Sequence, residues 1–244
     1  MIRFFMSDAH LGENFKKREE LKLARLHSFL EMVLARGREL YIVGDLFDFW
    51  FEYRHAIPKH HLRTILKFAR LKEAGIDLHY ITGNHDHWLG DFLSGEVGFE
   101  IHRDDYRTEL DGKRLLITHG DGIAKKDRGY RMLKRILRNR FNIFMYRLIP
   151  PDLGIPLAKH VSQTSRGHTQ KRPKESFLAE YRSYAHQQLR SGEDIVIIAH
   201  THVPEKVEFE EGLYFNTGDW VENFSYLEME AGRIELKFWE DSST

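Results

Sequence analysis

Residues 195–202, I-V-I-I-A-H-T-H, run from four apolar β-branched side chains into two histidines one residue apart. Such a run suits a strand buried on both faces. In β conformation residues i and i+2 share a side, so His200 and His202 project into one space just beyond the strand. Paired imidazoles there point to a metal, although a His-x-His pair also occurs as a solvated loop feature. The rest of the chain decides between these readings.

Four other apolar runs end in the same manner. F4-F-M-S-D-A-H10 delivers Asp8 and His10, and L40-Y-I-V-G-D45 delivers Asp45. L78-H-Y-I-T-G-N-H-D86 delivers Asn84, His85 and Asp86, and R114-L-L-I-T-H-G-D121 delivers His119 and Asp121. Between the runs, 19–34 and 58–74 carry apolar residues at helical spacing, the second with Pro58 suited to a first turn. This alternation predicts an α/β fold, a parallel or mixed sheet with crossover helices. After His202, the runs from Lys206, Leu213, Ser225 and Arg233 predict short strands that extend the sheet or form a second layer. In α/β sheets the ligand crevice lies beyond the carboxyl ends of the strands, so five strands direct their polar residues to one place.

The chemistry of that set is specific. Oxygen ligands from Asp8, Asp45 and Asn84 combined with His10, His119, His200 and His202 suit Mn, Fe, Zn or Co, whereas Ca or Mg sites rarely use four imidazoles. Seven ligands exceed the needs of one ion. Two ions about 3.5–4 Å apart, bridged by one carboxylate, use them all.

Composition sets wider limits. The 244 residues, 41% hydrophobic, suit a single domain spanning 1–244. Lys plus Arg and Asp plus Glu both number 37, so there is no net field to draw nucleic acid or membrane. The chain has no cysteine, which removes disulfide and thiolate frameworks and fits a reducing cytoplasm. We expect no signal peptide at M1-I-R-F-F-M-S, and no run approaches the roughly 18 apolar residues of a membrane span.

The five runs match the signature of the calcineurin-like metallophosphoesterases through D8-A-H10, G44-D45, G83-N84-H85-D86, H119-G-D121 and H200-T-H202. One departure is Ala199, where that family usually has glycine. The resemblance covers nearly the whole chain and implies an αββα sandwich of mixed sheets. It implies one metal on Asp8, His10, Asp45 and His202 and another on Asp45, Asn84, His119 and His200. His85 then faces the substrate phosphate, with Asp86 orienting it.

Residues 122–190 hold sixteen Lys or Arg against four acids. Within them Y130-R-M-L-K-R-I-L-R-N-R-F-N-I-F-M-Y-R-L-I149 can form a basic amphipathic helix, suited to a membrane surface or an anionic lipid; the alternative is a helix that buries its apolar face on the core. We read 122–190 as an inserted helical lid, and the residues interleaved with its basic ones, mostly aliphatic rather than stacking aromatics, argue against nucleic acid. With that lid the chain resembles the UDP-2,3-diacylglucosamine pyrophosphohydrolases of lipid A synthesis, through G44-D-L-F-D-F-W50, Asp127 and Tyr130 after H119-G-D-G122, S162-Q-T-S-R166 and T217-G-D-W220.

This narrower resemblance implies release of UMP and 2,3-diacylglucosamine 1-phosphate by metal-activated hydroxide, usually with Mn. It implies substrate contacts at Asp127, Tyr130, Ser162 and Arg166. We expect a cytoplasmic protein, with contact to the inner face of the membrane through the lid and a monomer favoured over a larger assembly. Many members carry arginine at the position of His85, so a phosphodiesterase or pyrophosphatase of soluble nucleotides is the alternative, and a non-catalytic metal scaffold a third reading. Trp50 is expected to pack the strand end rather than stack on a base, and histidines such as His60 and His61 to lie exposed.

Overall fold

The alternation along each strand sorts its side chains between two distinct cores. The computed structural model describes residues 1–12, 16–124, 139–157 and 175–240. In β1 (Ile2–Met6), Phe4 and Met6 face one side and Phe5 the other, and all three are buried. The outward set packs on α1 (Lys16–Arg36) and α2 (Leu62–Glu73), where Leu26, Phe29, Leu30 and Val33 meet Ile65, Phe68 and Leu71. The inward set meets a second sheet.

The first sheet also contains β2 (Gly37–Val43), β3 (Asp77–Ile81), β4 (Phe99–His102), β10 (Ser225–Glu230) and β11 (Arg233–Phe238). Its order is β11-β10-β1-β2-β3-β4, parallel from β1 to β4 and antiparallel at β10 and β11. The second contains β5 (Tyr106–Leu110), β6 (Lys113–Thr118), β7 (Ile195–Ile198), β8 (Glu205–Phe209) and β9 (Gly212–Asn216), ordered β5-β6-β7-β9-β8. Here β6, β7 and β9 are parallel and the two edges antiparallel. Phe5, Tyr41, Val43 and Ile81 meet Leu115, Ile117, Ile195, Ile197 and Phe215 between the sheets.

Among the described residues, three helical segments follow β6. One is α3 (Arg140–Arg147), and residues 151–157 are helical beyond it. The third, α4 (Glu175–Arg190), lies within the 122–190 stretch read as an insertion, yet it buries Tyr181, Ala185 and Leu189 against Leu116, Val196, Ile198 and Tyr214. It is therefore the crossover between parallel strands β6 and β7 and the outer layer of the second sheet. The architecture is the αββα sandwich of two mixed sheets expected from the resemblance. The short β4 and β5 leave no clear mark in the sequence. Their four and five residues alternate too briefly to stand out from a loop.

Among the described residues, no helix is long and apolar enough to cross a membrane. His61 departs from its expected exposure: it is buried, with its ring 4.7 Å from that of Phe47 and 6.2 Å from that of Trp50. An imidazole is apolar enough over its faces to fill a slot between aromatic rings. Trp50 is itself fully buried and donates from its indole to Glu52 across 2.9 Å, so it packs the strand end as expected.

Candidate metal centre

Asp8 and His10 follow β1, Asp45 follows β2, Asn84 follows β3, His119 follows β6, and His200 and His202 follow β7. The strands end together, and their loops turn these side chains into one crevice. The turns are sharp: Asp8, His10, Asp45, His200 and His202 all have positive φ, between 43° and 67°. These are five of the eight non-glycine residues with positive φ among the described residues. A left-handed conformation costs a non-glycine residue of order 1 kcal/mol, and such residues concentrate where function needs them.

Two glycines make room for the loops. A Cβ on Gly83 would stand 2.1 Å from Asp45 Oδ1, and one on Gly44 would stand 2.4 Å from His119 Nδ1. Ala199 needs no such freedom. It is not among the positive-φ residues, and its methyl is buried in the core between the sheets.

The side chains gather in two groups that meet at Asp45. In one, His202 Nε2 lies 3.4 Å from His10 Nε2 and 3.4 Å from Asp8 Oδ1. In the other, His119 Nε2 lies 3.1 Å from Asn84 Oδ1, 3.2 Å from His200 Nδ1 and 3.4 Å from Asp45 Oδ2. Asp45 Oδ2 also lies 3.9 Å from His10 Nε2, so one carboxylate oxygen faces both groups.

These residues fit divalent cations. Asp8 Oδ1 is buried and accepts no hydrogen bond among the described residues. Nδ1 of His119 donates to the Val43 carbonyl at 2.9 Å, so a neutral ring directs the Nε2 lone pair at Asn84 Oδ1 and Asp45 Oδ2, a convergence of acceptors that calls for a cation. Burial alone would lower His119, but Asp45 and Asp8 outweigh it and hold the imidazole up at about 10. Burial likewise opposes ionisation of Asp45, yet His119 and His85 hold its carboxyl well below the ordinary range. Burial and the neighbouring His119 charge push His200 down to about 3.

A surrounding shell sets the orientation of these groups, and most of it carries no distinctive sequence pattern. Asp219, in T217-G-D-W220, stands 3.5 Å from His202 Nδ1 and accepts hydrogen bonds from the backbone N–H groups of Val221, Glu222 and Asn223. Ser7 donates to Asp8 Oδ2 at 2.6 Å. Lys22, fully buried on α1, donates to the His10 carbonyl at 2.8 Å and pairs with Glu19 at 2.8 Å. A lysine on an amphipathic helix reads as solvated, so no sequence signal marked it.

His85 stands beside the centre, its Nε2 3.9 Å from Asp45 Oδ2. Its orientation differs from the expectation. Asp86 does not hold the ring; its carboxylate accepts the N–H groups of Gly83 and Leu46 and the Tyr80 hydroxyl, tying two ligand loops together. The Asp48 carbonyl accepts instead from His85 Nδ1 at 3.0 Å, because Asp86 is turned into the core while Asp48 lies under the ring. Burial and the Asp45 charge raise Asp86 to about 6. Asp127, Tyr130, Ser162 and Arg166 lie outside the described residues.

The chain is similar in sequence and fold to known proteins. A UDP-2,3-diacylglucosamine hydrolase of Porphyromonas gingivalis is 30% identical over 256 aligned residues, covering 98% of this chain and 97% of the relative. One of Nitrosococcus oceani is 32% identical over 173 residues, covering 71% and 67%. The solved structure of an archaeal phosphodiesterase matches at TM-score 0.52 with 16% identity, covering 98% of this chain and 99% of that one, and so shares the fold. The family model for calcineurin-like phosphoesterases matches residues 4–204, which include every residue of the two donor groups. This chain belongs to the calcineurin-like phosphoesterase family.

Proposed function

We propose that the protein hydrolyses the pyrophosphate of UDP-2,3-diacylglucosamine to UMP and 2,3-diacylglucosamine 1-phosphate. The observation that carries this reading is the pair of donor groups sharing Asp45, beside His85, in a chain aligned nearly end to end with a UDP-2,3-diacylglucosamine hydrolase. Asp8, His10, Asp45 and His202 would hold one cation, and Asp45, Asn84, His119 and His200 the other, with Mn the ion proposed and Fe, Zn or Co chemically compatible. Two divalent ions there supply positive charge that acidifies water toward neutral pH and screens the phosphates.

The oxygen of water joins the uridine-side phosphorus, and the bridging oxygen leaves with the lipid phosphate. Because His85 Nδ1 donates to a carbonyl, only the doubly protonated ring can also donate from Nε2. In that form it stabilises charge on a phosphate oxygen.

The lipid half of the reading is supported by α3. Tyr146 docks this helix with its ring 4.6 Å from that of Phe51 and 5.3 Å from that of Trp88, on the loops that follow β2 and β3. Phe141, Phe144, Met145 and Leu148 remain exposed, with Leu153 and Leu157 beyond them. This uncovered apolar row suits acyl chains and contact with the inner leaflet of a membrane. Asp127, Tyr130, Ser162 and Arg166 complete the proposed substrate contacts, in a monomer working at the cytoplasmic face.

The test is UMP release from the detergent-solubilised lipid with Mn, beside hydrolysis of bis-p-nitrophenyl phosphate. UMP release far above the generic rate is expected. Turnover of the generic ester alone would leave a phosphoesterase of soluble substrates, and no turnover of either would leave a metal scaffold.

A further inference from the structure

A second group of ligating atoms lies at the edge of the first sheet. Glu100 is the register partner of His79, and His102 follows two residues later on β4, so all three share one face of two adjacent strands. His79 Nδ1 lies 3.3 Å from His102 Nε2 and 3.3 Å from Glu100 Oε2, and Glu100 Oε1 lies 3.7 Å from His102 Nε2. Ligand atoms bound to zinc at about 2.0–2.1 Å with tetrahedral angles stand roughly 3.3 Å apart, which is the spacing already present.

The rings are held in place. Tyr41 stacks on His79 at 4.4 Å and 9°, and Tyr106 on His102 at 3.7 Å and 26°. Burial lowers both imidazoles from their ordinary value, which favours the neutral form that binds metals. Beside them a cavity of about 320 Å³, bordered by Glu39, Asp77, Lys72 and Tyr106, leaves room for a water at a fourth position. In a purely structural arrangement the two nitrogens share a proton and Glu100 is a solvated neighbour. That reading accounts for the histidine pair but leaves the carboxylate's matching distance to coincidence.

We propose that His79, Glu100 and His102 bind one divalent ion of the zinc class, apart from the pair of cations centred on Asp45. Two imidazoles and one carboxylate with an open position form a known zinc ligand set. The ion would clamp edge strand β4 to β3, and binding only the folded chain it would stabilise it.

The experiment saturates the full chain with Mn, adds Zn in slight excess, removes loose metal by desalting and counts total Mn plus Zn per chain. It compares the unaltered chain with His102→Ala and Glu100→Ala. The unaltered chain should retain one equivalent more than His102→Ala, and Glu100→Ala should weaken that equivalent by about tenfold or more. All three should hydrolyse bis-p-nitrophenyl phosphate alike, since none of these residues belongs to the Asp45 centre. Equal metal content in all three active proteins would overturn the proposal. If His102→Ala loses turnover through misfolding, Glu100→Ala decides alone, because its side chain is exposed and its loss does not open the core.

Discussion

His119 donates from Nδ1 to the carbonyl of Val43 across 2.9 Å, and this bond turns its other nitrogen toward Asp45. The donor strand end and the acceptor strand end belong to different sheets, so the sandwich itself sets the imidazole's tautomer. Replacing His119 with Ala should remove one of the two cations and lower turnover at least 100-fold, about 3 kcal/mol of transition-state stabilisation. Metal content and turnover measured on the same sample check this. Chelation of the unaltered protein should abolish turnover, and added Mn should restore it.

Asp219 acts on His202 from the side away from the crevice, 3.5 Å from its Nδ1. Partners of this kind orient a ligating ring, and their loss typically weakens metal affinity about 10- to 100-fold. Asp219→Asn should raise the Mn concentration giving half-maximal activity by that factor while leaving the rate at saturating Mn close to normal. An unchanged Mn requirement would show that Asp219 only braces its own turn.

Since the His85 ring is held by the Asp48 carbonyl, it can be removed without removing a ligand. His85→Ala should keep both cations and lower kcat at least about tenfold. Loss of metal in step with activity would place His85 among the ligands.

Lys22 is fully buried and links Glu19 to the His10 carbonyl. Lys22→Met strands a carboxylate that is mostly buried, so the chain should lose about 3 kcal/mol of stability. Denaturant unfolding measures it. Because the same bond fixes the backbone at His10, metal binding at that group should weaken as well.

Burial, with Lys67 and Arg63 nearby, holds His27 below its ordinary value, and its Nε2 lies 3.0 Å from Thr64 Oγ1. The folded chain therefore takes up its proton at lower pH than the unfolded chain does. This contribution to stability is present above the unfolded value of about 6.5 and is lost as pH falls from there through the folded value. On acidification from pH 7.5 to 5.5, the unaltered protein should lose more Tm than His27→Gln, whose side chain does not titrate. Thermal melts of both at the two pH values check the sign.

The sequence by itself determined the strand rhythm and the seven polar side chains, Asp45 among them, that the strand ends present as candidate ligands. Apolar runs that end in Asp, Asn or His announce both a buried strand and what its carboxyl end presents, and chemistry needing particular side chains leaves them visible in any order of reading. Tertiary structure decided the rest. Glu175–Arg190 joined the outer layer because Tyr181, Ala185 and Leu189 found the second sheet, which no local pattern could reveal. Lys22, His61 and Asp219 took their roles from neighbours distant in the chain, and their residue types read equally well as surface. The left-handed backbone of Asp8, His10, Asp45, His200 and His202 became visible only once the strands were aligned. His79, Glu100 and His102 likewise met only because β3 pairs with β4 in that register. Composition and periodicity report which surfaces are apolar. Which polar atoms come within reach of one another depends on packing between segments far apart in the chain.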